Sequence, residues 1–223
     1  MPIEEVRAVA KYRRFYTPTE VAEHDQPHDC WVSFLGKVYE ITALLEANPG
    51  KLSQPLIEAA GTDISHWFNG ENGELKRHVD QISNVECFYV PGGRTIHVAP
   101  SEPRSDWATD YPIPWWKDQT YCIGTLSQRT REISVINMLT HHTHIVEVCS
   151  EETLSEILDR YLDFNSHAAS YTWKRRGTPL DMEKTLLENG IEDENDDFHD
   201  LNIEQDFYRA QLSLYFNDDL TVG

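Results

Sequence analysis

The side chains able to do chemistry near neutral pH in this 223-residue sequence are ten histidines, four cysteines and 38 carboxylates. Imidazole can move a proton or ligate a metal. His66 stands beside Trp67 and Phe68, His78 follows Lys76 and Arg77, and His141, His142 and His144 crowd one short stretch. The last group has the residue type of a zinc site, but it falls in a turn without an acidic or thiol partner beside it, and it reads as surface histidine. Cys30, Cys87, Cys122 and Cys149 lie far apart with no CxxC pair. That spacing argues against a zinc ribbon or a disulfide scaffold, and for reduced, buried thiols in a cytosolic chain. No nucleophile elbow, phosphate loop or HExxH motif occurs, and no two carboxylates are spaced as an acid–base pair. The sequence therefore offers no catalytic residue and reads as non-enzymatic.

Charge narrows the partners. The net charge is −19, with residues 1–100 contributing −5 and residues 101–223 contributing −14. Such a surface repels phosphate backbones and anionic lipid, so nucleic acid and membrane surface are poor partners and a basic protein surface is the natural complement. No apolar run reaches the roughly 18 residues a membrane span needs, and Met-Pro-Ile-Glu-Glu is not the start of a signal peptide. No small-molecule substrate is implied.

The elements that must position these residues fall into two blocks. In FYTPTEVAEH (15–24), Thr17 at the N-cap, Pro18 in the first turn and Glu20 three residues on predict a short helix. CWVSFL (30–35) and VYEI (38–41) predict strands joined through Gly36-Lys37. A brief helix from Thr42 should stop at Asn48-Pro49-Gly50, a second should cover 53–60 and end at Gly61, and Asp63 should cap a third through Phe68. Residues 91–117 hold five prolines together with Trp107, Tyr111, Trp115 and Trp116. They predict an irregular strap whose aromatics pack on one or both domains. Further on, 132–139 and 143–149 predict a hairpin, and Leu154, Ile157, Leu158, Tyr161 and Leu162 one face of a helix. A strand at 170–174, a turn and short edge strand over 175–180, a one-turn helix at 185–191 and a strand at 211–216 complete the block.

The strings FYTPTEVAEH, WVSFLGKVYEIT, NPG and AAGTDISHWF, in that order over residues 15–81, resemble the cytochrome b5 heme-binding family. The resemblance implies an α+β domain whose sheet and helices form a pocket for heme b, with two histidines gripping the iron from opposite faces. The first of those positions holds Asn48 here and the second Gly73, so the usual ligand pair is absent. His66 and His78 are the nearest candidates for cofactor binding, and His78 for metal ligation, since a shift in the 69–73 loop could bring it round. The surface reading of His78 and the packing reading of His66 stay open beside these, and His24 and His28 read as structural. At most one ligand implies weak or redox-dependent heme binding.

The order strand, strand, helix, strand, short strand, one-turn helix, strand over residues 131–219 is that of a β-grasp. It resembles ubiquitin-like domains, with an acidic insertion at 192–209 and no terminal di-glycine, which implies docking rather than conjugation. The expected organisation is an N-terminal extension (1–14), a cytochrome b5-like domain (15–81), a Pro/Trp-rich connecting segment (82–130) and the ubiquitin-like β-grasp domain (131–219). As a whole, through SHAASYTWK (166–174) and YFNDDLT (215–221), the chain resembles a family of cytochrome b5 domain-containing proteins of motile cilia. That resemblance implies a place in the cytoplasm and cytoskeleton, at the cilium axoneme, with radial spoke proteins as partners. The alternative is a cytosolic heme b electron carrier.

Overall fold

Local chemistry starts the first helix where the sequence places it. In the computed structural model, which describes residues 13–79, 84–100, 111–201 and 208–217, strand β1 (Phe15–Tyr16) gives way at Thr17 to helix α1 (Pro18–Glu23). The Thr17 hydroxyl accepts the Glu20 amide while the Glu20 carboxylate accepts the Thr17 amide. Pro18 fills a first-turn position that has no intrahelical N–H partner to lose. The chain divides into two units, Met1–Leu126 and Ser127–Gly223, each with its own sheet and core.

In the first unit, β2 (Asp25–Gln26), β3 (Asp29–Phe34) and β4 (Lys37–Glu40) run antiparallel. Leu35 and Gly36, at φ 49° and 73°, turn β3 into β4 through the two-residue loop that matches strand twist. Helices α2 (Thr42–Ala47) and α3 (Gln54–Glu58) follow, then a 3₁₀ turn at Ser65–Trp67 and a separate hairpin of β5 (Arg77–Val79) and β6 (Glu86–Phe88). The sheet is then closed by β7 (Cys122–Leu126), which lies between β1 and β4, parallel to the first and antiparallel to the second.

The first unit therefore runs past residue 81 to Leu126, and the described residues of the expected connector up to that point belong to it. The reason is physical: without β7, β1 and β4 would each present an unpaired edge. Ile96, Val98, Trp115 and Trp116 also enter the core beside Phe34, Leu44, Leu56 and Phe68. Each buried tryptophan contributes roughly 4–6 kcal/mol of apolar burial before entropy is subtracted.

The second unit is built on β8 (Thr130–Asn137) and β9 (Thr143–Cys149), then helix α4 (Leu154–Tyr161), β10 (Tyr171–Arg175), β11 (Thr178–Pro179), helix α5 (Asn195–Asp200) and β12 (Ala210–Phe216). The sheet order is β11-β10-β12-β8-β9, with β12 parallel to β8 and the other pairs antiparallel. Leu154, Ile157 and Tyr161 of α4 pack on Ile133, Val135, Trp173, Leu212 and Leu214. Thr153 and Glu156 form a second capping box. Residues 185–191 form consecutive turns rather than a helix, closed by Gly190 at φ 73°. Part of the acidic insertion is α5, and residues 202–207 lie outside the described residues. A buried ion pair fixes the start of α4, with Arg160 Nε donating to both Glu152 oxygens at 2.8 and 2.9 Å.

Gly124 of β7 passes so close to β1 that a Cβ there would lie 2.6 Å from Tyr16 Cε2 and 2.8 Å from the Arg13 carbonyl oxygen. Gly124→Ala is expected to destabilise the first unit by about 1–3 kcal/mol, read as a lower urea midpoint for that unit's transition. An unchanged midpoint would contradict this closure.

Candidate functional site

The helices of the first unit pack over its sheet and share its core. The Thr42 hydroxyl starting α2 accepts the Cys30 amide, and Leu44, Leu45 and, from α3, Leu56 are buried. Asp63 holds the 3₁₀ turn in place, accepting from Ser33 Oγ and from Ser65 N and Oγ, each at 3.0 Å. Trp67 and Phe68 follow inward.

The two positions that the resemblance assigns to axial ligands, Asn48 and Gly73, offer no imidazole. The Asn48 amide donates to the Leu44 carbonyl at 3.0 Å and closes α2. Gly73 sits at φ 67°, where a histidine would carry a left-handed penalty of about 1–2 kcal/mol. His66 is exposed on the 3₁₀ turn, edge-on to Trp67 at 6.1 Å. His78 is exposed on β5, where it pairs with Cys87 of β6. The Cys87 Sγ lies 3.6 Å from His78 Nε2 and 3.9 Å from Nδ1, and Tyr89 meets the ring edge-on at 5.9 Å. His66 and His78 share no hydrogen bond or ring contact among the described residues.

The interior is filled by protein. Phe34 stacks on Phe68 at 4.4 Å, and Trp115, fully buried, packs edge-on to both at 5.8 and 6.5 Å. Trp116 adjoins it at 5.9 Å. Both indole N–H groups are buried without a partner. His97, which sequence reasoning passed over, holds this insertion: its Nδ1 accepts the Trp115 amide at 3.0 Å, which places the proton of the neutral ring on Nε2. Tyr111 stacks on His97 at 4.0 Å and donates its hydroxyl to the His97 carbonyl. The available sign was an imidazole inside the proline-rich segment 91–117. Burial pushes the Cys30 thiol up to about 12, with Asp29 adding to it, and burial does the same to the Tyr39 hydroxyl. Cys30 and Cys149 are buried, whereas Cys87 and Cys122 are half-buried.

In the second unit, His144 Nδ1 lies 3.2 Å from the Tyr161 hydroxyl. In the first, His24 stacks on Trp31 at 3.6 Å and meets Asp29 at 2.7 Å. Among the described residues no three His, Cys, Asp or Glu side chains are grouped to hold a metal ion, and no helix is long and apolar enough to cross a membrane.

Comparison with known proteins decides the family. A cytochrome b5-like heme/steroid-binding domain matches residues 17–127, the span closed by β7. The whole chain is 54% identical over 209 residues to cytochrome b5 domain-containing protein 1 of Xenopus tropicalis, covering 93% of this chain and 96% of that one. This chain belongs to the cytochrome b5 domain-containing protein 1 family. The human member is 48% identical over 94% of this chain and 92% of its own. Cytochrome b5 isoform B of Arabidopsis thaliana is 42% identical, over 41% of this chain and 69% of that protein. The fold is thus α+β with a cytochrome b5-like domain at the N-terminus. Cytochrome b5-like domains bind heme, and heme b is consistent with this family. The residues described here do not fit the paired-imidazole way of holding it, because both axial positions lack a histidine and Trp115 fills the interior beside Phe34 and Phe68.

Proposed function

We propose that this cytochrome b5 domain-containing chain is a non-enzymatic docking subunit of the motile-cilium axoneme, associated with radial spoke proteins. The packed aromatic interior of the first unit carries the reading, since a reversible electron carrier of this family holds its iron between two protein ligands and neither Asn48 nor Gly73 supplies one. The first unit then serves as a scaffold. His78, exposed on β5, would be the imidazole offered to heme b held outside that packed interior, with His66 the other, and such a heme would supply a redox input to ciliary beating.

The second unit is the docking module. Its central parallel pair, β8 and β12, crossed by α4, supports the ubiquitin-like β-grasp assignment. The excess of carboxylates in residues 101–223 favours a basic partner surface. Similarity to cytochrome b5 domain-containing protein 1 spans both units, which favours a function that uses both. A cytosolic electron carrier would need only the first.

Two measurements test the reading. Co-sedimentation with isolated axonemes is expected to persist in His78→Ala and to be lost when residues 127–223 are removed; binding that survives the truncation contradicts the docking role. Hemin titration followed at the Soret band is expected to give a weak, saturable shift that His78→Ala abolishes. An equal shift in the variant removes His78 from the site.

A further inference from the structure

Beside β10 and β12 the second unit has a cleft lined by arginines in a strongly acidic chain. Along β12, Ala210, Leu212 and Leu214 point into the core, so Gln211 and Ser213 alternate outward. Together with Arg175, Arg176, Tyr208 and Arg209 they line a cavity of about 480 Å³, the size of a small-ligand site. Lys174 stands in register with Ser213 across the β10–β12 pair, its ammonium over the Tyr215 ring at 4.7 Å.

The cations are held in place. Arg209 Nε meets Glu132 Oε2 at 2.6 Å, and Arg175 Nη1 donates to the Gly190 carbonyl at 2.8 Å. Arg176 is exposed on the turn from β10 to β11, at φ 48°, followed by Gly177 at φ 84°. Such a turn favours asparagine before glycine, and the left-handed conformation costs arginine about 1–2 kcal/mol. The turn sets a guanidinium at the rim of the cavity. Around it, Glu132 and Glu147 stand in register on the same outward face, and the net charge is −19.

We propose that this cleft binds a phosphoryl group on a side chain of the partner protein, in a segment whose neighbouring residues are basic. Guanidinium forks match phosphate oxygens in pairs, the Ser213 hydroxyl adds a donor, and the surrounding carboxylates select against an acidic context. This rests on the docking reading and names the chemistry of its partner.

The test is fluorescence polarisation with the full chain and a labelled phosphoserine peptide flanked by lysines, beside its unphosphorylated twin and pyrophosphate. The phosphopeptide is expected to saturate and to bind roughly tenfold or more tightly than the twin. Arg176→Asn, which suits the backbone, is expected to melt at the same or a higher temperature yet bind about tenfold more weakly. Equal binding of the twin, or wild-type affinity in Arg176→Asn, overturns the proposal. Binding of pyrophosphate without the phosphopeptide overturns it in favour of a free phosphate ligand. Axoneme sedimentation of the same protein separates the two readings: docking that persists without phosphopeptide binding removes this site alone.

Discussion

The first unit depends on one strand arriving late. β7 takes its place between β1 and β4 about a hundred residues after β1 has left the sheet, and Tyr16 lies against the bare backbone of Gly124. Without that insertion β1 has no partner and β4 has an open edge. The strand also brings the preceding turn with it, so Trp115 and Trp116 reach the interior because Cys122–Leu126 is paired. Closure of the sheet and filling of the core are one event, and it is long-range, with the loop-closure entropy offset by two large aromatic burials.

That event shapes the chemistry. A cytochrome b5 pocket works by leaving room for a porphyrin and presenting imidazoles to it. In this chain the helices and sheet of the pocket remain, while the described histidines of the first unit are exposed or half-buried. His97 comes nearest the interior, and its Nδ1 is engaged by the Trp115 amide. His78 lies on a hairpin of its own, against Cys87 and Tyr89. The domain keeps the family's frame and uses it to hold protein, which is why a scaffold suits the geometry better than an electron carrier.

Much of this was legible in the sequence wherever the cause is local. The capping box at Thr17/Glu20, the β3–β4 and β8–β9 hairpins and the buried face of α4 follow from side chains within a few residues of one another, whereas the equally local box at Thr153/Glu156 was passed over. β7 was not legible: Cys-Ile-Gly-Thr-Leu is short, carries a glycine and has partners far away in sequence. The β5–β6 hairpin hides for the same reason, its strands being three residues each. The absence of histidine at positions 48 and 73 was plain, but what fills the interior instead was not, because tryptophans in a proline-rich segment announce burial without naming the site. The buried Glu152–Arg160 pair likewise reads in sequence as two ordinary surface charges.

The first unit has a packed interior made by its own tryptophans. The most direct measurement is near-ultraviolet circular dichroism of the heme-free full chain during thermal unfolding, comparing wild type with Trp115→Phe. The account predicts a strong fixed tryptophan signal without heme, diminished in the variant, that melts together with the far-ultraviolet signal. A heme-free protein with native-like secondary structure but no tryptophan signal until hemin is added would contradict it, because the interior would then be a cofactor site awaiting its occupant.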